Sequence, residues 1–195
     1  MADDELLDVV DEHGRHLGVK RRDAVHRDGD WHLAFHLWVV SAEGVLLQRR
    51  ARTKASWPGR LDATAAGHLL AGETIADGLR EAEEELGVRY AFGDLTGLGV
   101  HRVDEGTNRE QQHVFAVRDD RSLAAWTDYN RAELDGLVLA GHDAFAALAT
   151  GRAGAPVSVR AWDGRAVAEV RVTAAELVPT PYLPWLADRL RALAP

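Results

Sequence analysis

The chain has 195 residues, 46% apolar and 28% charged, which suits one globular domain with a substantial core. Its 31 acidic residues outnumber 23 basic ones, and the net charge of −8 excludes a broad nucleic-acid-binding surface, which needs clustered positive charge. Cysteine is absent, which excludes disulfides, thiolate metal sites and cysteine nucleophiles.

The first residues, MADDELLDVV, are acidic where a signal peptide would be basic. Apolar runs stay far short of the ~20 residues of a membrane span, so a cytoplasmic protein without membrane attachment is expected. LLDVVDEHGRHLGVKRR predicts two strands around a Glu12–His13–Gly14 turn, a hairpin within about residues 5–25. HLAFHLWVV and VLLQRR, joined by SAEG, predict a second hairpin of aromatic and β-branched residues between turn formers. ARTKASWPGRLDATAAGHLLAGE, rich in Gly, Ala and Thr, predicts a loop with one short strand near residues 61–65. A helix is expected from Thr74, as N-cap after Gly72, to a C-cap glycine at Gly87.

DLTGLGVHRV and QQHVFAVRDD predict strands paired across the polar loop DEGTNRE, and DGLVLAGHDAFAALATG predicts a strand running into a short helix. Period-two alternation in PVSVRAWDGRAVAEVRV around Asp163–Gly164 predicts another hairpin. Leu183, Leu186, Leu190 and Leu193 recur at helical spacing in a C-terminal amphipathic helix. Strands before and after a central helix, with no repeat or linker, predict one mixed α/β domain over residues 1–195. The segment from about 155 to 195 has three open roles: capping a site, forming a homodimer surface, or extending the sheet.

In LREAEEELGV, Glu81 lies three residues from Glu84 and four from Glu85, so these three share a helix face while Glu83 turns away. Arg80 stands four before Glu84, within ion-pairing reach. The acids crowd the C-terminal half, where the helix dipole worsens their repulsion. A solvated acidic face is the plain reading of such a run. A hard divalent cation is the other, since Mg²⁺ prefers oxygen ligands and keeps waters for substrate phosphates. Context favours the cation: glycine-rich AAGHLLAGE can bring backbone carbonyls close, and basic QRRARTK can meet anionic oxygens.

Residues 67–88, GHLLAGETIADGLREAEEELGV, resemble the Nudix box: Gly, five residues, Glu, seven residues, then Arg-Glu-apolar-any-Glu-Glu-any-Gly-apolar. Gly67, Glu73, Arg80, Glu81, Ala82, Glu84, Glu85, Gly87 and Val88 match. Six residues rather than seven separate Glu73 from Arg80, which shortens the turn into the helix and leaves its acidic face intact. HRDGDWHLAFHLWVV, VLLQRRARTKASWPG and LDATAAGH are similar to the Nudix branch close to isopentenyl-diphosphate isomerases, over roughly residues 5–150. Those isomerases rely on a cysteine in the segment before the box histidine, which reads LDATAAGH here. The resemblance therefore implies hydrolysis of a phosphoanhydride. An isomerase-like enzyme and a non-catalytic nucleotide-binding sensor are the alternatives.

The resemblance further implies the Nudix fold, a mixed β-sheet sandwiched between helices. The expected substrate is a nucleoside-diphosphate derivative or similar small molecule, cleaved with Mg²⁺ or Mn²⁺. Glu84 and Glu85 are then metal ligands, Glu81 a ligand or general base, Gly67 a backbone ligand, and Arg80 the residue that orients Glu84. Glu110 aligns with an acid of the isomerase-like branch that would complete the metal site; Glu133, from a later loop, is its rival and otherwise a substrate contact, and Glu105 is a third candidate. Arg49, Arg50, Arg52 and Lys54 either meet substrate phosphates or solvate a strand end. Trp57, beside Pro58, is a candidate for the pocket wall, while Trp31 and Trp38 read as core or cleft wall. His32, His36 and His68 resemble in place histidines used by the isomerases. Because His32 and His36 lie four apart on a strand, they share a face without converging, and no dedicated histidine metal site is expected.

Overall fold

The computed structural model describes residues 4–151 and 154–194. β1 (Leu6–Val10) and β2 (His16–Arg21) form the expected N-terminal hairpin. The chain then makes an unanticipated helix, α1 (Arg22–Asp28), which ends at Gly29 in the left-handed region with φ 69°. A Cβ on Gly29 would sit 2.7 Å from the Gly106 carbonyl, so only glycine permits that close approach. Polar HRDGD hides this helix, because Val25 is its one buried residue.

β3 (Trp31–Ser41) is the spine of the molecule. Along one edge it pairs in parallel with β8 (Arg109–Arg118), which also pairs antiparallel with β7 (Thr96–Asp104). Its other edge is shared in turn by β1, by β6 (Ala65–His68) and by β4 (Gly44–Arg50). β4 continues through β9 (Leu134–Ala140) and β10 (Val157–Trp162) to β11 (Val167–Val172). The C-terminal hairpin thus extends the sheet, one of the roles left open for it.

Side chains alternate across β3, and each set meets a different layer. Phe35, Leu37 and Val39 join Ala82 and Leu86 of α2 (Arg80–Leu86) in one core. Trp38 and Val40 join Phe145 of α3 (His142–Ala149) and Leu186 and Leu190 of α4 (Leu183–Leu193) in another. The result is the expected sandwich of sheet between helices. No helix among the described residues is long and apolar enough to cross a membrane.

β3 and β4 pair only over Val39–Ser41, beside their turn, and then part. The short β5 (Leu61–Asp62) takes the freed edge of β4, and β6 takes that of β3. One expected strand near 61–65 is therefore two, with Thr64 between them. The buried Thr64 hydroxyl accepts from the Val39 N–H at 2.8 Å and donates to the Leu46 carbonyl at 2.5 Å, replacing the ladder bonds lost where the strands separate. Asp62 and Ala66 to His68, on these two short strands, line a cleft of about 1000 Å³.

The helix predicted from Thr74 begins later. Asp77 accepts hydrogen bonds from the Thr74 N–H at 2.8 Å and hydroxyl at 2.6 Å, closing a local turn. A single 3₁₀ turn, Asp77–Leu79, follows, and α2 starts only at Arg80. Gly87 ends α2 in the left-handed region, as expected.

Candidate active site

α2 lies over β6 and turns Glu81 and Glu85, one helical turn apart, toward that strand; both are buried. The Glu81 carboxylate rests on Gly67 so closely that a Cβ there would lie 2.1 Å from Oε1. Glu85 Oε2 accepts from the Gln48 amide and the Ala66 N–H, each at 3.0 Å. Burial, reinforced by the Glu81 charge, pushes the Glu85 carboxyl up to about 8, and burial likewise raises Glu81. Glu84 and Glu83 are both exposed, but Glu84 stands at the cleft rim whereas Glu83 pairs with Arg89.

Arg80 ties this group together. It donates to Glu73 at 2.8 Å, Glu81 at 2.5 Å, Glu84 at 3.1 Å and the His68 carbonyl at 2.9 Å. Burial works against its charge, but the Glu73 hydrogen bond and the charges of Glu81, Glu73 and Glu84 keep it firmly cationic. Glu73 also accepts from the Leu70 N–H at 2.7 Å, so it reaches Arg80 across the shortened turn.

Glu110 lies in the same cleft, among histidines. His26 from α1, His32 from β3, His68 from the end of β6 and Glu110 from the start of β8 bring one ligand atom each within 4.8 Å of one another. Glu110 Oε1 is 3.4 Å from His68 Nε2 and 3.8 Å from His32 Nε2, and its Oε2 accepts from the Gln112 amide at 2.6 Å. Burial favours protonated Glu110, yet its hydrogen bond and charge interaction with His68, then His36 and Gln112, hold the carboxyl well below the usual range. His32 Nε2 is buried and finds no hydrogen-bond partner among the described residues. Burial lowers the His32 pKa to about 4, which leaves a neutral ring with a lone pair to offer. The expectation of no histidine site is therefore corrected for the geometry. His32 and His36 do not converge, but α1 folds His26 back beside His32, with ring centroids 4.9 Å apart. Nothing in the spacing of His26, His32 and His68 reveals this, because α1 itself is cryptic.

The remaining candidates divide. Arg50, Lys54, Trp57, Glu105 and Glu133 line the cleft. Arg50 donates to Asp62 at 3.0 Å, and Lys54 pairs with Glu133. Trp57 is 40% exposed and adopts φ 50°, a conformation costly for a bulky residue. Arg49 and Arg52 are turned away from the cleft, the second of the two roles left open for them: Arg49 donates to the Gly59 carbonyl and faces Glu176, and Arg52, highly exposed, faces Asp135. Trp38 is core, and Trp31 is half-buried. Sequence reasoning did not single out Arg22, Asp62 or Gln112, which also line the cleft.

Comparison with known proteins is consistent with this geometry. A family model described as NUDIX domain matches residues 30–161. An uncharacterized Nudix hydrolase of Clostridium acetobutylicum is 35% identical over 144 residues, covering 70% of this chain and 69% of its own. An isopentenyl-diphosphate Delta-isomerase of Cutibacterium acnes is 41% identical over 88 residues, 44% of each chain. The crystal structure of DR0079 from Deinococcus radiodurans superposes with a TM-score of 0.62 at 21% identity, over 95% of this chain and 99% of that one, a likeness of fold.

Proposed function

The chain belongs to the NUDIX domain family, and on that premise we propose that it is a divalent-cation-dependent hydrolase of a diphosphate linkage in a nucleoside-diphosphate derivative or similar small anion. One observation carries the reading: Glu85 is buried beside Glu81 with no ion pair of its own among the described residues. Two carboxylates placed so need a cation or a proton. Oxygen donors from Glu81, Glu84, Glu85 and the Gly67 carbonyl suit Mg²⁺ or Mn²⁺. When bound, the cation supplies charge neutralisation for phosphate oxygens and acidifies a bound water. Arg80 holds Glu81 and Glu84 in position, and Glu81 serves as ligand or as the base that takes a proton from the attacking water. Arg50 and Lys54, with Arg22, give the acidic cleft its positive side for phosphate oxygens, and Trp57 walls the mouth.

The group His26, His32, His68 and Glu110 fits a second cation of borderline character, such as Zn²⁺. The unpartnered Nε2 of His32 supports that fit. The same cluster, with the likeness to an isomerase, favours prenyl-diphosphate isomerisation as a second reading. The lack of any thiol weighs against it. Chromatographic separation and NMR identification of products from a metal-supplemented panel of nucleoside-diphosphate derivatives and isopentenyl diphosphate separate the cases, since an isomerised product keeps the mass of its substrate. Cleaved diphosphates support hydrolysis, an isomerised isopentenyl diphosphate overturns it, and tight binding without turnover marks a sensor.

A further inference from the structure

The C-terminal extension also reaches the cleft. Residues 174–182 run beside β5: Leu177 bridges in parallel to Leu61, the Val178 N–H donates to the Leu61 carbonyl at 2.8 Å, and Arg60 donates to the Leu177 carbonyl at 3.2 Å. Thus anchored, Val178, Pro179 and Thr180 line the cleft, as do Asp62 and His36. Two residues on, Tyr182 is buried, with its hydroxyl 2.7 Å from His36 Nδ1 and 3.3 Å from Trp38 Nε1.

These contacts select one form of the histidine. The Trp38 indole N–H can only donate, so it occupies a lone pair of the Tyr182 oxygen. The hydroxyl's single proton then goes to the shorter contact, which makes His36 Nδ1 the acceptor. In a neutral imidazole the hydrogen must therefore sit on Nε2. Burial favours that neutral ring. His36 stands across from Ala66, the neighbour of Gly67, and lines the cleft, so Nε2–H is the ring donor left for a ligand there.

We propose that Tyr182 fixes His36 as an Nε2–H donor to a phosphate oxygen of the bound substrate, with Val178–Thr180 as the adjoining wall, so that the C-terminal extension is part of the substrate site. The proposal rests on the diphosphate reading of the cleft. His36 is the binding residue, and Tyr182 a positioning residue that acts through it.

The test compares two amides at one position. Glutamine carries its amide N–H near the place of imidazole Nε2, whereas asparagine reaches only as far as Nδ1. The probe is methylenediphosphonate, a non-hydrolysable diphosphate, titrated calorimetrically into the full chain with Mg²⁺. H36N is expected to weaken binding about ten- to hundredfold, and H36Q to recover it to within about threefold of wild type. Ring ¹⁵N shifts of histidine-labelled protein are expected to show His36 protonated on Nε2 in wild type and as a tautomer mixture in Y182F, whose affinity falls between those of H36N and wild type. Unchanged binding in H36N, equal losses in H36N and H36Q, a wild-type proton on Nδ1, or failure of wild type to bind the probe each overturns the proposal. Wild-type protein that binds the probe through His36 but hydrolyses no diphosphate sinks the hydrolase reading alone.

Discussion

At the scale of single residues, Glu85 ties the chemistry of the site to stability. Its carboxyl titrates near 4.5 in an unfolded chain and at about 8 when folded. Between those values the folded state holds the extra proton, so stability falls as pH rises through the window. Glutamine removes the titration and can still accept from Gln48 and Ala66. Metal-free E85Q is therefore expected to melt on the order of 5 °C above wild type at pH 8, with the gap closing near pH 5. Mg²⁺ is expected to raise the melting temperature of wild type at pH 8 but not that of E85Q. Thermal denaturation at both pH values, with and without Mg²⁺, checks this; coincident metal-free curves at pH 8 would count against it. That Glu81, Glu84 and Glu85 come to one cleft was legible from their register with Arg80. Their unequal burial was not, because the packing of α2 on β6 sets it.

At the scale of elements, two glycines report on how α2 is seated. A Cβ on Gly67 would strike the Glu81 carboxylate, whereas one on Gly78 would sit 2.7 Å from the Cβ of Phe35 and 2.9 Å from a methyl of Leu69. G67A is expected to lower kcat/KM about a hundredfold while melting within a few degrees of wild type, since it displaces the Glu81 carboxylate rather than the core. G78A is expected to cost about 1–3 kcal/mol by overpacking and to leave turnover per folded molecule little changed. Paired melting and kinetic measurements distinguish the two; similar profiles would mean that α2 is seated differently. The strands were legible because β3 and β4 carry aromatic and β-branched residues between turn formers and Asp163–Gly164 forms a favoured turn. α1 was not, for want of an apolar stripe, and His26 was hidden with it. The late start of α2 was equally hidden, since Thr74 reads as an N-cap until Asp77 is seen to capture it.

At the scale of the molecule, the sheet parts after one short β3–β4 pairing, and the resulting cleft is lined by Glu81, Glu84 and Glu85 and by His26, His68 and Glu110. The carboxylate group and the His26–His32–His68–Glu110 group meet through adjacent residues, Gly67 and His68. Purified protein is expected to carry one equivalent of a transition metal that H26A and H32A lose and E84Q keeps, as elemental analysis would read; retention in both histidine variants would contradict a cation at that cluster. The sequence pointed to the first group through a contiguous motif. The second draws on four separate elements, whose convergence only the folded chain displays. The most direct measurement is turnover of a cleaved diphosphate by metal-stripped protein, with and without added Mg²⁺, in wild type, E84Q and E85Q. The expected result is Mg²⁺-dependent release of phosphate-containing product by wild type and its loss in both variants with the fold retained, whereas undiminished turnover in E84Q and E85Q would contradict the account.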